Sequence, residues 1–287
     1  MPLYTVDAIT QAAAKEANIF NQQQSSGENP AVIQITQIDG SMVPIVDFAR
    51  AEDVLDPDKK ADKRKRRQCQ WKEIRVCSTR DPSKADARYG VSFGGVLEAG
   101  LMMRMNCEQE GMDENTYIHG VGDGASWIAD QFEKQFGTQG SFLLDFYHTG
   151  DYLGAASESC VHSKTPAEKK KWMDRQKKRL KENQHGQVLK TLEKFKESDG
   201  VADANAPVRQ CWRYLKNRQD QLDYQGAIAQ DLPIGSGEIE SAHRHLIQQR
   251  LKLSGAWWLK ETASNMAQLR VTRANQLWDA FWNQKAA

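Results

Sequence analysis

The chain has 287 residues, of which 39% are hydrophobic and 27% are charged, a balance typical of a folded globular protein rather than a disordered one. No apolar run approaches the roughly 20 residues of a membrane-spanning helix, and no secretory signal opens the chain, so we expect a cytoplasmic protein without membrane contact. The five cysteines are scattered and form no CxxC pair, which argues against a zinc knuckle or a secreted disulfide framework. The net charge of +1 hides local clusters that matter more than the sum.

Residues 1–30 are predicted to form a short helix and a polar linker. Residues 31–38 are rich in β-branched side chains and predict a strand that ends at Asp39-Gly40. Asp-Gly is a favoured turn pair, and residues 42–46 can return as a second strand. Asp39 is therefore interpreted as a hairpin residue, as a functional acid at a strand end, or as both.

A charged loop follows, and its basic run predicts either a solvated loop or a patch that contacts phosphates; both interpretations stay open. The basic side chains that we assign to this patch are Lys63, Arg64, Lys65, Arg66 and Arg67.

Residues 71–79, 88–93, 116–121 and 142–148 predict further strands, and residues 97–110 and 127–136 predict helices. Asp123 follows the strand 116–121 between two glycines, which let the backbone turn sharply and bring the acid into an open site. Asp145 and His148 form a second polar cluster at the end of the strand 142–148. Residues 31–150 are thus predicted to be the first part of an α/β core.

Residues 151–232 carry no strand pattern and are predicted to be an all-helical insertion. Its helix 167–181 is strongly basic, and a solvated face or a DNA-contacting face both fit. The DNA-contacting candidates here are Lys169, Lys170 and Lys171.

Residues 233–287 are predicted to be the helical end of the core, opening with a Gly-Ser-Gly turn at residues 235–237. Glu238 is interpreted as a helix-start acid, which the helix dipole favours. Glu240 stands among Ile239, Ala242 and Leu246, so we expect it at the border of the core, where a carboxylate needs a cation.

Asp39, Asp123 and Glu240 each lie at the end of an element, where chain reversals can bring them together. Three carboxylates around one cavity cannot all ionise without a compensating cation. Hard oxygen ligands suit Mg²⁺, with Mn²⁺ able to substitute, and two such ions favour in-line attack on a phosphodiester.

At this point the chain resembles the RNase H-like core of DDE transposases from bacterial insertion sequences, and most closely their Kra-type group. The resemblance covers roughly residues 32–282. It depends on four segments taken in order: Asp-Gly-Ala-Ser-Trp-Ile at 123–128, Leu-Asp-Phe-Tyr-His at 144–148, Gly-Ser-Gly-Glu-Ile-Glu at 235–240 and Gln-Arg-Leu-Lys-Leu-Ser-Gly-Ala-Trp-Trp at 249–258.

The resemblance implies an RNase H-like mixed sheet flanked by helices, with the helical insertion before the last catalytic helix. Asp39, Asp123 and Glu240 would be the catalytic metal ligands, and Asp145 and His148 would help to position the metal site or the DNA strand. The implied partners are double-stranded DNA, as element ends and target, and further copies of the chain in an oligomer on DNA. Additional DNA-contacting residues would be Arg244, Arg250 and Lys252.

Family members carry a longer N-terminal region that recognises element ends, and this chain begins close to the first predicted strand. We therefore expect a catalytic part without that region. Two alternatives to a strand transferase stay open: a stand-alone RNase H-like nuclease, and a transposase remnant that binds DNA or a partner without cutting. Glu238 also stays open as a rival third carboxylate.

Overall fold

The computed structural model describes residues 32–48, 67–161 and 165–286. The predicted N-terminal helix and linker, and Lys63, Arg64, Lys65 and Arg66 of the predicted basic patch, lie outside these residues. Every helix within the described ranges is too short or too polar to cross a lipid bilayer.

A mixed five-stranded sheet with flanking helices forms the fold, consistent with the predicted α/β, RNase H-like class. The strands are β1 Val32–Phe48, β2 Arg67–Arg80, β3 Arg88–Ser92, β4 Thr116–Gly122 and β5 Gly140–Leu144. The main helices are α1 Val96–Gln109, α2 Ser126–Phe136, α3 Phe146–Cys160, α4 Pro166–Lys181, α5 His185–Glu193, α6 Pro207–Lys216, α7 Tyr224–Ala229, α8 Gly237–Ala242, α9 Lys260–Ala274 and α10 Trp278–Ala286. Helix α8 continues as a π-helix, His243–Gln248, and a final turn, Gln249–Leu251.

The chain divides into two compact units. Unit 1 holds the described residues up to Thr116 together with those from Glu238 onward, and unit 2 holds Tyr117–Gly237. Unit 2 therefore combines β4 and β5 with the helices of the segment that we predicted to be an all-helical insertion. In the described part of that segment, the elements are indeed helices.

In unit 1, β1 is a single strand of 17 residues that passes straight through Asp39-Gly40. It pairs antiparallel with β2 from Ile35 opposite Arg80 to Phe48 opposite Arg67, and β2 pairs antiparallel with β3. The predicted hairpin at Asp39-Gly40 is therefore wrong. The long-range ladder with β2 satisfies backbone groups on both sides of the turn-prone pair, so this local turn preference is overridden.

The core of unit 1 lies between one face of its strands and the helices α8 and α9. Alternate residues of a strand share a face, so Val43 and Ile45 of β1 lie on this side together with Gln37, Asp39 and Ser41. A polar stretch thus interrupts an otherwise apolar strand face. The buried core residues are Val43, Ile45, Ile74, Val76, Val91, Ile239, Ala242, Leu246, Ile247, Leu251, Ala263, Ala267 and Val271.

In unit 2, β4 and β5 are parallel, with Ile118 opposite Gly140 and Gly122 opposite Leu144. Strand β5 ends earlier than the predicted strand 142–148, because Asp145 accepts a hydrogen bond from the His148 N–H at 2.8 Å and so caps α3. Helix α3 packs against α4 and α6, and α6 packs against α5.

We expect Ile247→Ala to lower the free energy of unfolding by about 2–5 kcal/mol, because it leaves a cavity at a fully buried position of the unit 1 core. Urea denaturation of the full chain measures this loss. The neighbouring exposed residue provides the control, and Gln248→Ala should change stability by no more than about 0.5 kcal/mol. Equal losses in both variants would contradict the assignment of this helix face to the core.

Candidate functional site

Asp39 lies in the middle of β1, opposite Val76, with 40% of its side chain exposed. Its Oδ1 accepts a hydrogen bond from the Gly40 N–H at 2.6 Å. The other carboxylate oxygen, Oδ2, lies 3.3 Å from Nε2 of His243. Unit 1 thus presents an accessible carboxylate from the middle of a strand whose residues are largely buried.

The helix that carries Glu240 is docked on β1 by polar contacts. The Ile239 N–H, in the first turn of α8, donates to the buried Gln37 Oε1 at 2.9 Å. One helical turn later, His243 reaches Asp39. Gln37 therefore supplies an acceptor that a helix N-terminus needs, and it fixes the start of α8 against the strand that bears Asp39.

Glu240 itself is exposed, so the expectation that it lies at the core border is wrong. Ile239 and His243 are the buried residues on this side of the helix, and Glu240 is rotated away from Ile239 by about 100°. Glu238 is partly buried and forms an ion pair with Arg80, with Nε 3.0 Å from Oε2. The ion pair with Arg80 thus gives Glu238 a structural partner. Glu240 is exposed to solvent and has no comparable need for one.

Asp123 belongs to unit 2 and follows β4 directly. Its Oδ1 accepts a hydrogen bond from the Ala125 N–H at 3.0 Å, which forms a tight turn. Tyr214 of α6 packs against this turn: a Cβ added at Gly124 would lie 2.8 Å from Cζ and 2.9 Å from the hydroxyl oxygen of Tyr214. Gly124 is thus required for close approach, not for an unusual backbone angle.

Arg218 completes a clamp on the same turn. Its guanidinium donates a hydrogen bond to the Gly124 carbonyl and stacks 4.6 Å from the centroid of the Tyr214 ring. Tyr152 of α3 stacks on the Tyr214 ring, with the two ring centroids 4.0 Å apart. Burial raises the pKa of the Tyr214 hydroxyl, and this hydroxyl has no hydrogen-bond partner among the described residues.

We expect Gly124→Ala to lower the free energy of unfolding by about 1–3 kcal/mol, because the added methyl group has to displace the Tyr214 ring. Gly186 in α5 is a matched control, since a Cβ added there meets nothing within 4 Å. Gly186→Ala should stabilise the protein by up to about 1 kcal/mol, because alanine is the better helix former. Thermal or urea unfolding measures both, and the same sign for both variants would contradict the clamp.

Asp145 and His148, which we predicted to help position the site, differ from each other in burial and in their contacts. Asp145 is buried, and besides capping α3 its Oδ2 accepts hydrogen bonds from the Ser236 N–H at 2.6 Å and the Ser236 hydroxyl at 2.5 Å. It therefore anchors the Gly-Ser-Gly segment that leads towards Glu240. His148 is exposed, with its ring 6.4 Å from that of Tyr214.

His119 of β4 holds the same segment from another strand. Its ring is buried, and its Nε2 lies 2.9 Å from the Pro233 carbonyl oxygen, which can only accept, so Nε2 carries the hydrogen. Burial lowers the pKa of His119 below its ordinary value of 6.5. The folded protein therefore keeps this imidazole uncharged where an unfolded chain would already bind a proton.

We expect the free energy of unfolding to fall as pH drops below about 6.5, since the unfolded chain then binds more protons than the folded one. His119→Gln should reduce this pH dependence. Urea denaturation at a series of pH values gives the two slopes, and the exposed-residue variant His148→Gln provides the comparison. Identical slopes for wild type and His119→Gln would contradict a depressed pKa at His119.

Of the predicted basic contacts, Lys170, Lys171, Arg244 and Arg250 are exposed. The ammonium of Lys169 is instead paired with Glu158 at 2.5 Å. Arg250 also lies 5.9 Å from the centroid of the Trp258 ring, and Lys252 is partly buried. Arg67, the last residue of the basic loop, is the first residue of β2.

Among residues 32–48, 67–161 and 165–286, no group of three or more His, Cys, Asp or Glu side chains is arranged to hold a metal ion. Asp39 and Glu240 belong to unit 1, and Asp123, Asp145 and His148 belong to unit 2. That the three acids share metal ions stays a prediction.

Sequence reasoning missed three residues at these places: His243, Tyr214 and Arg218. His243 had a usable signal, because it stands one turn after Ile239 and three residues after Glu240, on a helix already assigned to the site. Tyr214 and Arg218 had none, since their packing on the Asp123 turn depends on a contact about 90 residues away in the chain.

Residues 102–283 match a family described as "Uncharacterised protein family (UPF0236)". The match covers more than half of the chain, so the chain belongs to this family. The matched range includes Asp123, Glu240 and His243, and Asp39 precedes it. Comparison with curated proteins and comparison with solved structures found no match.

Proposed function

We propose that this member of the uncharacterised family is the catalytic part of a DDE-type DNA transposase, which cleaves DNA and transfers the cut strand by in-line attack on a phosphodiester. Asp39, Asp123 and Glu240 are the catalytic carboxylates. Double-stranded DNA is the substrate, as element end and as target. Further copies of the chain join it on the DNA.

One observation carries the proposal. Asp39 offers an accessible carboxylate from the middle of a strand, and the helix that bears Glu240 is fastened to that strand through Gln37 and His243. Buried polar groups on the core side of a strand cost free energy unless they are hydrogen-bonded, and the hydrogen bond between Gln37 and the start of α8 offsets that cost. Asp123 supports the proposal from unit 2, because a glycine-flanked acid that follows a strand directly is held in a defined turn.

The donor chemistry fits magnesium. Carboxylate oxygens are hard ligands, and Mg²⁺ in phosphoryl-transfer sites is commonly held by one or two carboxylates, several waters and substrate phosphates. Asp39, Glu240 and Asp123 would supply the carboxylates. Two bound ions would provide activation of the attacking oxygen and stabilisation of the leaving oxygen.

The basic residues of α4 and of the helix after Glu240 supply phosphate contacts in this proposal. Lys170 and Lys171 on α4, and Arg244 and Arg250 after Glu240, are exposed. Lys and Arg side chains that neutralise phosphates release bound counterions, so DNA affinity should fall steeply with salt.

We expect the wild-type chain to nick or cut DNA that carries its element ends in the presence of Mg²⁺ or Mn²⁺ and not with EDTA. Asp39→Asn, Asp123→Asn and Glu240→Gln should each reduce the rate at least about 100-fold, because each removes a carboxylate that would hold the metal ions, and those ions stabilise the negative charge of the transition state. Gel analysis of plasmid cleavage and of strand joining measures the two steps separately.

Two matched controls come from the same elements. Asp47→Asn changes another acid of β1, and Glu238→Gln changes the acid that Arg80 binds. Both should retain most of the activity. Loss of activity in Glu238→Gln with full activity in Glu240→Gln would reassign the third carboxylate to Glu238.

Cleavage of DNA without joining of the cut strand would indicate a nuclease. Salt-sensitive DNA binding without cleavage would leave a binding-only remnant and overturn the proposal.

A further inference from the structure

We infer that His243 is a direct nitrogen ligand of the metal ion that Asp39 binds, which makes this site selective for Mn²⁺ over Mg²⁺. The inference rests on the proposed metal-dependent function, and it adds a ligand and a metal preference that the three carboxylates do not imply. All the residues that carry it belong to unit 1.

The first observation is an unsatisfied imidazole. His243 is 4% exposed, and neither Nδ1 nor Nε2 has a hydrogen-bond partner among the described residues. A buried polar group without a partner costs about 1–3 kcal/mol. Binding of an ion between this imidazole and the accessible Asp39 carboxylate would account for the unpartnered nitrogens.

The second observation is the geometry of the pair. Nε2 of His243 lies 3.3 Å from Oδ2 of Asp39, yet the contact lacks the direction of a hydrogen bond. Two donors that each lie about 2.1 Å from one metal ion are separated by about 3.0 Å at a right angle and by about 3.4 Å at the tetrahedral angle. The observed separation therefore matches two ligands of a shared ion.

The third observation is the helix itself. The backbone changes from α to π at His243, and the π-helix extends to Gln248. Short π-helical segments are rare and occur frequently at functional sites. Glu240 precedes His243 by three residues, a spacing that puts both side chains on neighbouring parts of the helix surface.

An imidazole ligand changes which metal the site prefers. Mg²⁺ favours oxygen donors, whereas Mn²⁺ and the later divalent metals also accept imidazole nitrogen. We therefore expect Mn²⁺ to bind more tightly than Mg²⁺. Loss of the nitrogen ligand should weaken Mn²⁺ binding by at least about 10-fold, the lower end of the effect seen even when an outer partner of a metal ligand is removed.

The test is pulsed electron paramagnetic resonance of the full chain loaded with Mn²⁺ alone, in the absence of DNA. The wild type should show modulation from a directly coordinated ¹⁴N nucleus. His243→Gln should lose this modulation, and His245→Gln should retain it. His245 is a matched control because it lies two residues further on, where its Nδ1 is 2.8 Å from the Ser241 carbonyl oxygen.

Asp39→Asn gives a second variant, and it should weaken Mn²⁺ binding and reduce the ¹⁴N signal at the same metal concentration. Far-UV circular dichroism checks the fold of every variant, and this variant keeps the test decisive if His243→Gln does not fold. Absence of ¹⁴N modulation in the wild type, its persistence in His243→Gln, or undiminished binding in Asp39→Asn would overturn the inference.

The cleavage assay separates this inference from the proposed function. DNA cleavage together with a Mn²⁺ spectrum that lacks ¹⁴N modulation would keep the strand transferase and overturn the role of His243. Nitrogen coordination that depends on His243, without any cleavage of DNA, would keep the metal ligand and overturn the transferase.

Discussion

The polar stretch on the core face of β1 is the constraint on which the arrangement of unit 1 depends. Gln37, Asp39 and Ser41 face the same side as the fully buried Val43 and Ile45. Burial of such groups is unfavourable unless each finds a partner. Gln37 accepts a hydrogen bond from the Ile239 N–H, and the partly exposed Asp39 accepts one from the Gly40 N–H and lies 3.3 Å from Nε2 of His243. The position of the helix on the strand is therefore set by polar contacts as well as by apolar packing.

The same contacts explain why α8 begins where it does. The first N–H groups of a helix need acceptors from outside the helix, and one of them is supplied here by Gln37, about 200 residues earlier in the chain. Arg80, the last residue of β2, pairs with Glu238 in the same first turn. This ion pair holds the Glu238 carboxylate at the end of β2. Because Arg80 pairs with the partly buried Glu238, Glu240 is the acid of this first turn that stays exposed.

Unit 2 uses a related principle at the turn that carries Asp123. Tyr214 packs against Gly124, and Arg218 donates a hydrogen bond to the Gly124 carbonyl. Both residues belong to the helical segment. Asp145 and His119 hold residues 233–236 from two different elements, through Ser236 and Pro233. The short polar segments next to the candidate acids are thus fixed by residues that are distant in the chain, which gives each acid a defined backbone.

The sequence by itself determined the class of fold, the approximate bounds of most elements and the acids worth testing. Alternation in β2 and the helical spacing in α1 are local signals, and local signals survive folding when the packing agrees with them. Asp123 was identifiable because its flanking glycines are local too.

Only the tertiary structure decided the rest. Asp39-Gly40 has the composition of a turn, but pairing with β2 makes it the interior of a strand. Glu240 has apolar neighbours in sequence, but docking through Ile239 and His243 turns it towards solvent. The clamp of Tyr214 on Gly124 and the approach of His243 to Asp39 join segments about 90 and 200 residues apart. A one-dimensional pattern records which side chains are available, whereas partners for buried polar groups are chosen by long-range packing.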